Sequence, residues 1–193
     1  MKTIQIYNFN ELSQEAKDYA INQCKDKFET DLDFYYDNCI EAIKEKGFFG
    51  NIKLQYSLSY CQGDGVSFSC EYFDTKRLNK IFENILGQRK QKTIDLIINN
   101  CYFNLVGNTG RYCYASSRDL EFRFDDNINA PNIEEVVGKV EDKLREMYLS
   151  LCEELIQNGY AEIEHQFSNE YISELLEAND YEFLEDGQLI NAY

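Results

Sequence analysis

Tryptophan is absent from this chain of 193 residues, proline and histidine occur once each, and 19 Lys and Arg face 35 Asp and Glu. Each scarcity removes a class of function. With His165 as the sole histidine, a site that needs several imidazoles is excluded, and a zinc site is not expected. As a Cys-His nucleophile, His165 would be a single residue inside an acidic helix, so a solvated or capping role is expected. The single proline, Pro131, excludes a Pro-rich linker. No apolar run reaches the ~20 residues a membrane helix needs, and no basic, apolar leader opens the chain. No membrane contact is expected, and the location expected is the cytoplasm. The cysteines, Cys24, Cys39, Cys61, Cys70, Cys101, Cys113 and Cys152, are odd in number and form no CxxC pair. They read as reduced thiols buried as small hydrophobes, not as a disulfide frame. No metal and no cofactor are expected.

What is present is apolar and acidic. A 44% hydrophobic content with 15 Tyr and 13 Phe suffices for one sizeable core. One compact unit is expected, made of a mixed α/β part over residues 1–131 and an acidic helical part over residues 132–193. The net charge of −16 is unevenly placed: residues 132–193 hold 16 acids against 3 bases, and residues 1–131 hold 19 against 16. In the first part Lys76, Arg77, Lys80, Arg89, Lys90 and Lys92 form a basic cluster opposed by Glu83 alone. Such a cluster is either a phosphate-contacting patch or an internal counter-charge for the acidic third; the counter-charge is the expectation, and direct nucleic-acid binding is not expected.

The longest helical pattern is NIEEVVGKVEDKLREMYLSLCEELIQN, residues 132–158. Ile133, Val137, Val140, Leu144, Tyr148, Leu151 and Leu155 recur at three- and four-residue steps, which places them on one face. Glu135, Asp142, Glu146 and Glu153 fall within about 20° of one another on the wheel, almost opposite. Asn132 is the expected N-cap. Beyond Gly159 the period resumes through Tyr160, Ile163 and Phe167, then, after the cap Ser168, through Tyr171, Ile172, Leu175 and Leu176. A helical hairpin or kinked pair is expected, and Glu162, Glu164, Glu170, Glu174 and Glu177 extend the acidic surface onto it.

Earlier segments complete an α+β class, with antiparallel β hairpins packed by several helices and the long acidic helix across the sheet. KTIQIYN, residues 2–8, suits a half-buried strand with Ile4 and Ile6 on one side. Ser13 caps a helix with the stripe Ala16, Tyr19, Ala20, Cys24 and Phe28. A second helix turns Leu32, Tyr35, Tyr36, Cys39, Ile40 and Ile43 inward and stops at Gly47. Thr75 caps a third, which stops at Gly87. The run TIDLIINNCYFNLV, the turn residues 107–110 and RYCYASSRDLEFRF give a hairpin signal in which Tyr112, Tyr114, Leu120, Phe122 and Phe124 can pack. YEFLEDGQLI gives a terminal hairpin about Glu185, Asp186 and Gly187.

The most distinctive local sequence is QYSLSYCQGDGVSFSCEY, residues 55–72: two alternating runs about Gln62, Gly63, Asp64 and Gly65. As chemistry, this would be a small phosphate-cradling or catalytic loop with Asp64 as acid, base or metal ligand. It matches no Walker or dinucleotide fingerprint, and the glycines suffice to explain a tight or bulged turn.

At YSLSYCQGDGVSF, residues 56–68, at ANDYEFLEDGQLI, residues 178–190, and at the opening TIQIYNFNELSQEAKDYAI, the chain resembles small proteins carried by phages and mobile elements of low-GC bacteria, some of them labelled antitoxin-like. These motifs are not catalytic signatures, so the resemblance transfers no site residues. It implies a product that meets host defence or stability systems. Joined to the acidic face, this leads to the expectation of a non-enzymatic inhibitor, anti-CRISPR-like, whose partner is a basic host protein such as a nuclease or nucleic-acid-guided effector. Glu135, Asp142, Glu146, Glu153, Glu162, Glu164, Glu170 and Glu174 would make the contact. The alternatives are an antitoxin, a nucleic-acid-binding regulator acting through residues 76–92, and an enzyme using residues 62–65.

Overall fold

The computed structural model describes residues 4–106, 112–117, 119–124, 133–179 and 181–190, with the backbone alone at 88, 101, 106, 117 and 119–124. Along the chain these form β1 (Tyr7–Asn8), α1 (Gln14–Lys25), α2 (Asp33–Glu45), β2 (Phe48–Phe49), β3 (Lys53–Ser57), β4 (Gly65–Ser69), β5 (Tyr72–Phe73), α3 (Thr75–Leu86), α4 (Gln91–Asn99), β6 (Cys101–Val106), β7 (Asp119–Phe124), α5 (Ile133–Gln166), α6 (Asn169–Ala178) and β8 (Glu182–Phe183). The class is α+β, and every strand pair is antiparallel. The chain divides into two compact units, one of Met1–Leu32 with Tyr160–Tyr193 and one of Asp33–Gly159. The expected boundary at residue 131 does not coincide with this division, because the long helix contributes residues to both units.

In the smaller unit β1 pairs with β8, Tyr7 opposite Phe183 and Asn8 opposite Glu182. Ser13 and Ser168 cap α1 and α6 as expected, their Oγ atoms accepting from Ala16 N–H at 3.3 Å and Tyr171 N–H at 3.1 Å. Such caps contribute about 1 kcal/mol each. The core is Phe9, Leu12, Ala16, Ala20, Ile21, Ile172, Leu176 and Phe183. Below it, the buried Gln166 clamps the backbone of Asp31, donating to its C=O at 2.7 Å and accepting from its N–H at 3.1 Å. Two expectations fail here. The first strand shrinks to two residues because β8 offers only two partners, so Ile4 and Ile6 stay exposed. Tyr19 is exposed too, and Ile21 takes the inward position. The terminal turn forms as expected: Gly187 N–H donates to Leu184 C=O, and Phe183 bridges Leu189.

The larger unit is organised around Phe48, fully buried, whose ring lies 5.0 Å from Phe73, 5.3 Å from Phe68 and 6.5 Å from Tyr148. Aromatic pairs at such spacings add ~0.5–1.5 kcal/mol each beyond the area they bury. Tyr148 also fastens α5 to β4: its hydroxyl donates to Phe68 C=O and accepts from Phe68 N–H, both at 3.3 Å. Tyr35 on α2 donates to Leu155 C=O at 2.9 Å. Among the described residues the strands form four two-stranded ladders, with a single bridge from Cys70 to Leu105, and no continuous sheet for α5 to cross.

Several local expectations shift in this unit. Tyr36 of α2 is exposed while Tyr35, Cys39 and Ile43 are buried. Asp74, not Thr75, caps α3, accepting from Arg77 N–H at 2.9 Å. Gln91–Asn99 is helical with Ile94 and Ile97 buried, so only the second half of the expected strand, β6, pairs with β7. Tyr112 and Tyr114 lie outside the strands and stack on each other at 5.5 Å. Gly159 ends nothing: it sits inside α5, and a Cβ there would stand 2.5 Å from Leu58 Cδ1 and 3.0 Å from the Tyr35 ring. Close packing, not helix termination, accounts for glycine at this position. The turn at 107–110, the side chains of Leu120, Phe122 and Phe124, and the Asn132 cap lie outside the described residues.

Candidate functional site

In the larger unit α5 buries Val140, Leu144, Tyr148, Leu151 and Leu155, with Ile133 and Val137 half-buried, and leaves Glu135, Asp142, Glu146 and Glu153 exposed. The amphipathic reading of this helix holds. The carboxylates are nevertheless not equivalent. Glu135 accepts from Lys139 at 2.6 Å and Glu146 from Lys143 at 2.6 Å. The hydrogen bond from Lys139 holds the Glu135 carboxyl below its usual range. Glu153 accepts from the Gln157 amide at 3.0 Å. Among the described residues Asp142 alone of this row meets no donor. Pairs at this exposure are worth at most about 1 kcal/mol, but they halve the charge this stretch presents to a partner.

The smaller unit differs. It carries 15 acids against 4 bases, a net of −11, while the larger carries 20 against 15, a net of −5. Residues Tyr160–Tyr193 contain nine Asp and Glu and no Lys or Arg. Glu164, Glu170 and Glu174 are exposed there and, among the described residues, meet no cation. On α6 Glu170, Glu174 and Glu177 stand at i, i+4 and i+7 and share one exposed face. Like charges four apart cost about 0.2–0.5 kcal/mol. Glu162 does not join them: it is half-buried and accepts from Gln166 Nε2 at 2.7 Å, behind the clamp on Asp31.

The loop at Asp64 is built inward. β3 ends at Ser57, so Leu58 and Tyr60, expected in the strand, belong to a connection that runs to Gly65. The Asp64 carboxylate accepts from Ser57 Oγ at 3.0 Å, Ser59 N–H at 2.7 Å, Cys61 N–H at 3.1 Å and the Cys61 thiol at 3.3 Å. It acts as the organiser of its own turn, as Asx side chains do. The hydrogen bond to this carboxylate pushes the exposed Cys61 thiol up, the reverse of what a nucleophilic cysteine requires. Cys39, Cys70 and Cys152 are buried as expected, but Cys61 is exposed and Cys24 and Cys113 are half-buried. His165 is exposed and lies edge-on to the Tyr171 ring at 5.2 Å. Among the described residues no three His, Cys, Asp or Glu side chains group as metal ligands would, and no helix is long and apolar enough to cross a membrane.

The basic cluster occupies α3, the 3-10 turn Gln88–Lys90 and the start of α4. Lys76, Arg77, Lys80, Arg89, Lys90 and Lys92 are all exposed. The expected counter-charge role finds no ion pair: among the described residues none of the six approaches a carboxylate within 4.0 Å, the pairs present being Lys46–Glu154 and those within α5. Glu83, the one acid in the cluster, instead accepts from Asn79 Nδ2 at 2.9 Å. A feature the periodicity did not reveal sits beside α3: Phe49 and Tyr72, opposite each other on β2 and β5, stack at 5.9 Å and 19°, with Tyr72 55% exposed. Compared with family models, curated proteins and solved structures, the chain finds no match.

Proposed function

We propose that this chain is an anti-defence protein of a phage or mobile element that acts by binding and not by catalysis. In the host cytoplasm its acidic helices occupy a basic, nucleic-acid-binding surface of an effector such as a nuclease or guide-RNA complex, as an anti-CRISPR does. The observation that carries this reading is the smaller unit's uncompensated charge: nine acids and no Lys or Arg in Tyr160–Tyr193, with Glu164, Glu170 and Glu174 exposed. Carboxylates arrayed on helices imitate phosphates in charge, and the field they create accelerates capture of a cationic partner. The resemblance of residues 3–21, 56–68 and 178–190 to proteins of phages and mobile elements supports the setting.

The test is displacement of labelled nucleic acid from purified host effectors. The wild-type chain should release it, and the E164K/E170K/E174K variant should not. Unchanged displacement by the folded variant would sink the proposal. An antitoxin is the second reading, favoured by the same resemblance; neutralisation of a small co-encoded toxin, with no effect on any nucleic-acid-binding effector, would establish it instead.

A further inference from the structure

We propose that the larger unit carries a binding site for single-stranded nucleic acid, made of the Phe49–Tyr72 stack and the cations of α3 and the turn after it. The site is independent of the acidic-face reading. Short strands β2 and β5 turn Phe48 and Phe73 into the core and Phe49 and Tyr72 outward. The stacked pair therefore offers a planar ring held from behind by a second one. A ring held in this way loses little freedom when a base stacks on it, and every base has a face to offer.

The first of the cations follow that ring closely along the chain. α3 begins three residues after Tyr72, at Thr75. The Arg77 side chain lies across Gly47, where a Cβ would stand 2.6 Å from Arg77 Cδ and 3.2 Å from Phe73 Cε2. Glycine at 47 is thus what lets the arginine stem lie against the end of the β2–β5 ladder. Lys76 and Lys80 leave the side of α3 opposite to the buried Leu78 and Phe82, and Arg77 leaves its flank. Gln91 of α4 donates to Asn79 of α3 at 3.1 Å, which brings the start of α4, with Lys92, to the same helix. The nearby acids are mostly engaged: Asp74 caps α3, Glu83 accepts from Asn79 and Asp95 from Gln91. Among the described residues, Glu71, exposed next to Tyr72 in the chain, is the acid left to oppose a phosphate.

Six exposed cations on α3, the turn after it and the start of α4, which among the described residues meet no carboxylate within 4.0 Å, together with an exposed aromatic ring that precedes them in the chain, suit a strand that presents phosphates and unstacked bases together. A duplex offers its phosphates but not its base faces. The ligand class is therefore single-stranded DNA or RNA.

The experiment is a fluorescence-anisotropy titration of the full chain with short labelled oligothymidylate and oligouridylate at low salt, repeated at rising salt. Binding to either is expected, and the tighter of the two identifies the sugar preferred. Tyr72→Ala should weaken binding by about five- to a hundredfold, and Tyr72→Phe should restore it. K76E/R77E/K80E should weaken it at least as much and reduce the salt slope by about 2. Tyr72 is exposed, so its variants keep the fold, checked by circular dichroism. No binding to either oligonucleotide at low salt, wild-type affinity in Tyr72→Ala, or equal competition by a duplex of the same length would each overturn the proposal.

Discussion

The smaller unit concentrates two thirds of the net charge, −11 of −16, in its two chain segments, and the larger unit holds the aromatic core and the basic cluster. In the larger unit Glu135, Glu146 and Glu153 of the α5 row have lysine or glutamine donors and Asp142 has none; among the described residues the acids of α6 meet no Lys or Arg. Charge that is locally compensated is what an ordinary solvated helix face carries. Charge left uncompensated creates a field that accelerates capture of a partner of opposite sign. On the proposed reading, the comparison moves the contact surface from the first row of α5 to Glu164, Glu170 and Glu174.

The largest effects should come from core truncations, one per unit. Phe48→Ala should destabilise by about 3–5 kcal/mol and Ile172→Ala by about 2–5 kcal/mol, both residues being fully buried. Amide exchange should rise first across β2, β4 and β5 in Phe48→Ala, and across α1 and α6 in Ile172→Ala. Equal loss of protection throughout the chain in both variants would remove the division into two units.

Alkaline pH should separate the units next. Burial pushes the Cys70 thiol up to about 12 and also raises Cys39 and Tyr35 in the larger unit; in the smaller it raises the half-buried Cys24. A folded pKa above the unfolded value means the native state holds its proton longer. That stability is complete below the unfolded thiol pKa of ~8.5 and is lost as pH rises through the folded value. Urea midpoints followed by probes in each unit should fall above that pH, the larger unit's more steeply; Cys70→Ala should flatten its slope.

How much of this was readable in advance depends on the range of the interactions. The inward face of α5, the caps Ser13 and Ser168, and the turns at Asp64 and Gly187 rest on residues a few positions apart, and they formed as the pattern implied. Misreadings came from distant partners. Tyr7 pairs with Phe183 across most of the chain, and no local alternation reveals that β8 is only two residues long. Gly159 resembled a stop because the Leu58 and Tyr35 side chains that demand a small residue lie far off in sequence. Glu162 looked equivalent to Glu164 until the Gln166–Asp31 clamp showed which side of the helix is covered. The Phe49–Tyr72 stack needed the β2–β5 register.

Smaller effects sharpen the contrast at single glycines. Gly187 has φ +86, and a Cβ there would stand 2.1 Å from Ala16 O; Gly87 has φ +82 with nothing within 4 Å. Gly87→Ala should cost roughly 1–2 kcal/mol from backbone strain alone. Gly187→Ala should cost clearly more and loosen the smaller unit, as read by thermal melts of both. The smallest change belongs to the compensated row: Glu135→Gln removes an exposed i, i+4 pair and should shift stability by no more than about 0.5 kcal/mol.

The most direct test captures partners from a host that carries its defence systems, with three baits: wild type, E135K/D142K/E146K/E153K in the larger unit, and E164K/E170K/E174K in the smaller. The account predicts that a nucleic-acid-binding effector is retained by the first two baits, confirmed with the purified effector, and lost by the third. Equal retention by all three folded baits, or loss by the larger-unit variant alone, would contradict it.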